Sequence, residues 1–472
     1  MAISTVNCLI TLFDDAFKGL SKPISIAESE RFAVLVHQSM NSKRRVYHRV
    51  EHVFPMCVDM QPIQVLAALF HDVVYFQLDG GFPPGTLHLL QDVASERSGE
   101  LTLHARLPKD AAFQMCAALF NFHAGQALPP YGGTNEFLSA VVAARLLAPH
   151  LELETLIAIV ACIEATIPFR APSVLGETAA EILATRVAQQ HQFWLAPVDA
   201  AATPAFVGST LRAAVALGNR DVSGFAKADP GVFLSSTWLL IDESNAQLAN
   251  PGVYSVQEYR GALVRMASFL TNLDAATIFQ CYQDSPQPVE IANLTATARR
   301  NIHFACEFLD AKIISIAIIE ALVLCTGRDC PISMFLGDIR IDGGRPDRVE
   351  DFLPEIPLTK KVNDELLNVF EKGRPLESSN DLTASPLTAF IYRCLGQAGT
   401  QTAFEQAQQM FAGTLEPIAF LRGLRTDMVL GILQACAQIA FSRRAALQDL
   451  ATSLEHSGVA SEEPRRSGVA QM

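Results

Sequence analysis

Two histidines four residues apart, His48 and His52, lie in Tyr47-His48-Arg49-Val50-Glu51-His52, and a His71-Asp72 doublet follows them. Around the pair, Val46, Val50, Val53, Phe54 and Cys57 recur at helical spacing. That spacing predicts a helix over 47–60 with both imidazoles on one face, a turn apart. The doublet ends an apolar run, Ile63 to Phe70, which reads as a buried helix that brings His71 and Asp72 out of the core at its C-terminal end. Three imidazoles and a carboxylate suit a borderline or hard divalent ion such as Fe, Mn, Zn, Co or Ni, with Mg admissible if carboxylates and water dominate. An ion in such a set acidifies water and polarises a phosphoryl oxygen, so the pattern points to hydrolysis.

Helical periodicity dominates the elements that must carry these groups. It marks 6–17, 29–40, 47–60, 63–74, 110–122, 135–147, 153–165, 178–192, 204–218 and 232–241, and beyond them 289–325, 361–371, 387–395, 401–412 and 414–448. The expected fold class is all-α. One short hairpin is predicted at 334–341 with Asp342-Gly343-Gly344 as its turn. The connection from Tyr75 to Pro108, with Gly80-Gly81-Phe82-Pro83-Pro84-Gly85, follows the doublet directly, where a loop can cover a substrate.

In their order and types these residues resemble the HD superfamily of metal-dependent phosphohydrolases, named for the His-Asp doublet. The resemblance covers roughly residues 30 to 245. It implies an HD-like helical bundle, with His48 as general acid and His52, His71 and Asp72 as metal ligands. Simpler members carry a single histidine at the first position, so the assignment between His48 and His52 stays open. The family closes its site with a distant aspartate, best matched by Asp221 in Gly218-Asn219-Arg220-Asp221. Asn135-Glu136-Phe137-Leu138-Ser139-Ala140 and Ile163-Glu164-Ala165-Thr166 resemble two further elements of one branch, which makes Glu136 a second candidate catalytic residue. Thr134 is a candidate N-cap beside it. Two departures stand out: no histidine follows His71-Asp72, and Thr166 precedes Ile167-Pro168-Phe169-Arg170 where that branch has a histidine. The expected function is hydrolysis of a small phosphorylated substrate, a phosphomonoester or phosphodiester, with nucleotides among the candidates. Lys43, Arg44, Arg45 and Arg49 are placed to pair with its phosphate. The alternative is a non-catalytic HD-fold sensor or binding module; a di-iron oxygenase would need extra ligands after the doublet.

Composition bounds the remainder. With 472 residues, 50% hydrophobic and 18% charged, the chain is globular and long enough for more than one domain. The expected division is a phosphohydrolase domain over 1–273, a helical domain over 274–455 for regulation, self-association or partner binding, and a disordered tail over 456–472. A net charge of −13 argues against nucleic acid as a dominant partner. The run Ile313 to Cys325 is too short for a bilayer and contains Glu320, so no membrane partner is expected. Ten scattered cysteines fit reduced thiols, and the N-terminus lacks a basic n-region, so a cytoplasmic protein is expected. Gly343-Gly344-Arg345-Pro346-Asp347-Arg348 reads as a solvated turn.

Overall fold

The structure, a computed structural model, describes residues 4–97, 99–130, 132–195, 202–250, 253–338, 346–355, 362–375 and 381–459. Helix accounts for 69% of it and strand for 3%, so the chain is all-α. It divides into two compact units: Met1–Ala228 with Leu273–Arg299, and Asp229–Asn272 with Arg300–Met472. Residues 229–272 thus lie in the second unit and 273–299 in the first, so the chain passes between the units more than once.

The first unit contains α1 (Thr5–Gly19), α2 (Ile26–Met40), α3 (Val53–Cys57), α4 (Pro62–Phe70), α5 (Phe76–Asp79), α6 (Leu87–Leu90), α7 (Ala111–Phe120), α8 (Thr134–Leu147), α9 (Leu153–Glu164), α10 (Ala179–Leu195) and α11 (Ala202–Asp221). Its centre is α4, whose residues from Gln64 to Phe70 are all buried. A helix apolar on every side must be covered on every side, and α1, α3, α8, α9 and α11 all pack against it. The buried Gln64 fixes its register: Nε2 donates to Ala213 O of α11 at 2.9 Å, while Oε1 accepts from Gln61 N at 2.9 Å. Close approach of α9 and α11 rests on Gly218, where a Cβ would lie 2.4 Å from Ala165 O.

Three expectations need correction. No helix spans 47–60: residues 46–49 form bends, a 3-10 turn covers Val50–His52, and α3 begins at Val53. Pro55 explains the break, because in a longer helix its ring would clash with the carbonyl of Glu51 and its missing N–H would leave that carbonyl unpaired. The connection from Tyr75 to Pro108 is ordered, with α5, α6 and an antiparallel hairpin of β1 (Ala94–Arg97) and β2 (Glu100–Leu103), Ala94 opposite Leu103. The hairpin expected at 334–341 is instead helical at Ser333–Leu336, with Phe335 buried; 339–345, with its predicted turn, lies outside the described residues.

The second unit has α12 (Pro230–Ser244), α13 (Val256–Asn272), most of α14 (Pro288–Thr326), α15 (Ser333–Leu336), α16 (Asp364–Lys372), α17 (Pro386–Phe411), α18 (Pro417–Gly423), α19 (Thr426–Ile439) and α20 (Arg444–Val459). Two predicted helices merge into α17, kinked where Gly396 adopts φ 64°. The apolar run in α14 is buried, and Glu320 within it pairs with Arg260 at 2.7 Å. Among the described residues no helix is long and apolar enough to cross a membrane. Helix α20 continues past His456 to Val459, and 460–472 lie outside the described residues.

Candidate metal centre

His71 is the C-cap of α4, directly after seven buried residues, and the doublet stays in the core instead of leaving it as the sequence suggested: His71 and Asp72 are both buried. The ring is 1% exposed. Its Nδ1 lies 2.8 Å from Ala68 O, which can only accept, so Nδ1 carries a proton and donates it there. That leaves Nε2, which is buried without a hydrogen-bond partner. Nε2 lies 3.1 Å from Asp72 Oδ2, misaligned for a hydrogen bond, and 3.6 Å from Asp221 Oδ1. Asp221 ends α11, and its Oδ1 is 2.9 Å from His52 Nε2. Donor atoms of His52, His71 and Asp72 all lie within 4.8 Å of one another. The four sequence-predicted ligands are thus gathered, with Asp221 joined to the three through His52 and His71.

The charges show how such a cluster could take up a cation. Burial pushes Asp72 and Asp221 upward, yet the neighbouring imidazoles, His71 first for Asp72 and the hydrogen bond with His52 first for Asp221, hold both carboxyls well below the usual range. Burial pulls His71 down, but Asp72 and Asp221 together raise it well above an ordinary imidazole. Without a metal, a proton on His71 answers two carboxylates. The C-terminal ends of α4 and α11 add partial negative charge at the same place. A buried imidazole nitrogen without a hydrogen bond, two carboxylates held ionised and a second imidazole fit a divalent ion of the imidazole-and-carboxylate type.

His48 stands beside this cluster. Its ring is 5.9 Å from that of His52 and 5.1 Å from that of Tyr75. Tyr47 packs on both histidines, with ring centroids at 4.8 and 5.1 Å. Glu136 occupies the first turn of α8, where Gly133, not Thr134, is the N-cap; the Thr134 hydroxyl donates to Pro129 O. Burial, with smaller contributions from Asp72 and Asp221, raises the Glu136 carboxyl to about 7. The charges of the ligand cluster therefore reach it.

A second layer holds the ligands in place. Arg45, 2% exposed, forks onto Asp79 at 3.0 and 2.7 Å and donates to the carbonyls of Asp72 at 2.6 Å, His48 at 3.3 Å and Val73 at 3.4 Å. It is therefore a structural clamp, and the expected phosphate-pairing role fails for it because its donors are spent inside the protein. Lys43, Arg44 and Arg49 are exposed, and Arg49 lies 3.9 Å from Glu51. Asn135 Oδ1 accepts from Phe76 N at 3.0 Å, and Ser139 Oγ accepts from Val74 N at 3.0 Å. The Asn-Glu-x-x-Ser element thus grips the chain just after the doublet. Glu164 is buried and paired with Arg170 at 2.7 Å, a structural contact. Asn219 exchanges hydrogen bonds with the backbone of Gln280, both at 2.8 Å, tying the returning segment to the end of α11. Sequence reasoning missed Asp79 and Gln280, since a single acid or amide in a connecting segment carries no periodic signal.

No protein-family model, curated protein or solved structure matches this chain.

Proposed function

We propose that the first unit is a metal-dependent phosphohydrolase of the HD type, cytoplasmic, acting on a small phosphomonoester or phosphodiester. One observation carries the reading: His71 Nε2 is buried without a hydrogen bond, between two carboxylates held ionised and a second imidazole. His52, His71, Asp72 and Asp221 would hold the ion. Bound there, a divalent ion supplies Lewis acidity toward a phosphoryl oxygen and hydroxide near neutral pH. His48, at the edge of the cluster, would hold a proton on its ring and deliver it to the leaving oxygen. Without an ion the Glu136 carboxyl is pushed up to about 7 by burial, which suits a group exchanging protons with water or substrate. Ala68 O and Arg45 orient the doublet.

Elemental analysis of the purified protein and of a His71→Ala/Asp72→Ala variant, with a phosphoester screen on both, tests the proposal. About one divalent ion per chain is expected, lost in the variant together with turnover. An ion without turnover of any phosphoester would make the unit a binding or sensing module. No ion even after Mn or Fe is supplied would sink the metal centre itself.

A further inference from the structure

The second unit holds a cavity of about 50 Å³ that no step of the proposed hydrolysis uses. One water needs roughly 10–15 Å³ of such space, so a molecule of a few heavy atoms fits. Its polar floor comes from three helices. Helix α14 contributes Lys312, 8% exposed, and α13 contributes Tyr259, 3% exposed. The start of α17 contributes Ser385, its N-cap, with Leu387 and Thr388 in the first turn. Lys312 Nζ donates to Ser385 Oγ at 3.0 Å and to Asp381 Oδ1 at 3.4 Å, which accounts for two of its three protons. Ser385, turned to the lysine, makes no side-chain cap bond to α17, so the amides of the first turn lack their usual acceptor. The Tyr259 hydroxyl is buried without a hydrogen bond. Asp381 is near enough to act on it, but the two do not meet in hydrogen-bonding geometry. Burial first, then Asp381, hold the phenol well above its ordinary range, so at neutral pH it keeps its proton to give. Arg374 lies 3.6 Å from Asp381, Arg348 pairs with Glu350 at 2.7 Å, and both guanidinium groups act against the Lys312 ammonium. An ammonium proton, a phenol and an uncapped helix N-terminus thus converge on a space short of acceptors.

We propose that this cavity binds a small organic carboxylate. Its head group would accept from Lys312, from Tyr259 and from the first turn of α17, where the helix carries partial positive charge. Asp381 remains the counter-ion of Lys312 and Arg374 and fixes where the ammonium sits. Ile316, one turn beyond Lys312 on α14, lines the same cavity with Ile332 and Leu336. These apolar walls suit a short hydrocarbon tail, which an organic acid has and phosphate or sulfate lacks. Leu336, Arg348 and Pro386 line the cavity and are partly exposed, so a small solute reaches it from water. The site belongs to the second unit alone and stands whether or not the first hydrolyses phosphoesters.

Methyl NMR of the full chain reads this site locally, with the Ile316 and Ile332 signals followed as propionate, propionamide or inorganic phosphate is added at matched ionic strength. Propionate and propionamide share a shape and differ in charge. Propionate should move both signals to saturation, with the amide and phosphate each about tenfold weaker or more, the scale of one hydrogen bond to a charged group. Tyr259→Phe removes a hydroxyl that has no hydrogen bond and keeps the ring that stacks on Tyr254 at 5.5 Å. It should bind propionate about tenfold more weakly without a lowered unfolding temperature. Equal affinity for the amide would overturn recognition by charge, and phosphate acting on these methyls as strongly as propionate would overturn the carboxylate class. Unmoved Ile316 and Ile332 signals, or unchanged propionate affinity in Tyr259→Phe, would overturn the site itself. The comparison of the three ligands in wild type decides the matter even if the variant does not fold.

Discussion

A buried imidazole can use each ring nitrogen once. In His71 the proton on Nδ1 is committed to Ala68 O, so Nε2 is left for whatever the two carboxylates attract. Glu136 is the residue whose behaviour this charge pattern exposes most directly. Its folded-state pKa stands near 7 against an ordinary 4.5. The native protein therefore binds the proton more tightly than the unfolded chain. The sign follows: stability should be unaffected below about pH 4.5, fall as pH rises from there to about 7, and stay level above. Urea unfolding of the metal-free protein at about pH 4.5 and pH 8 should show Glu136→Gln gaining on wild type at the higher pH. A variant that tracks wild type at both values would mean that burial does not raise the Glu136 carboxyl in the folded protein. In kinetics of the metal-loaded enzyme, the same substitution should remove a limb from the kcat/KM profile that lies below pH 7, since the carboxyl gains a cation nearby.

At the scale of elements, the site depends on how closely helices approach. Gly218 lets α11 lie against the end of α9, and Asp221 sits one turn further along. Gly218→Ala would drive a methyl group into the carbonyl of Ala165. The expected result is a loss of about 1–3 kcal/mol on urea unfolding, the usual scale of overpacking, together with weaker metal retention. Unchanged metal content with lowered stability would show that Asp221 is positioned independently of that crossing. This scale also shows what a sequence can and cannot disclose. Helix α4 was legible from the unbroken apolar run Ile63 to Phe70, but it ends at Phe70, short of the expected 74, and His71 and Asp72 at its end stay buried instead of leaving the core. The first histidine pair was legible as a cluster but not as a helix: its apolar period is real, yet Pro55 stops the helix and the two rings meet across a bend and a 3-10 turn. The hairpin Ala94–Leu103 gave no alternation strong enough to read. The clamp of Arg45 on Asp79 pairs two residues that only tertiary structure brings together, and no local spacing announces it.

For the whole molecule, the proposed chemistry falls to one unit. The other carries its own buried ionic network, in which Asp381 accepts from Lys312 at 3.4 Å and lies 3.6 Å from Arg374, itself stacked on Trp238 at 4.2 Å. Removing the carboxylate strands two buried cations. Asp381→Asn should therefore cost about 3–5 kcal/mol of stability, read by denaturant unfolding, without altering metal content per folded chain. Loss of metal in that variant would show that the metal centre depends on the second unit. The division itself was only partly legible: composition allowed more than one domain, but the return of residues 273–299 to the first unit is set by contacts such as Asn219 with Gln280, which leave no trace in periodicity.

The bond between His52 and Asp221 joins positions 169 apart in the chain. An ion shared by these two side chains would act as a removable staple across that span, one that only the folded chain can hold. Its release would favour the open ensemble on which proteases feed, since whatever binds the native state alone shifts the balance by mass action. Metal supply would then govern the lifetime of the polypeptide as well as its turnover of substrate, making starvation for the ion a route to the protein's disappearance.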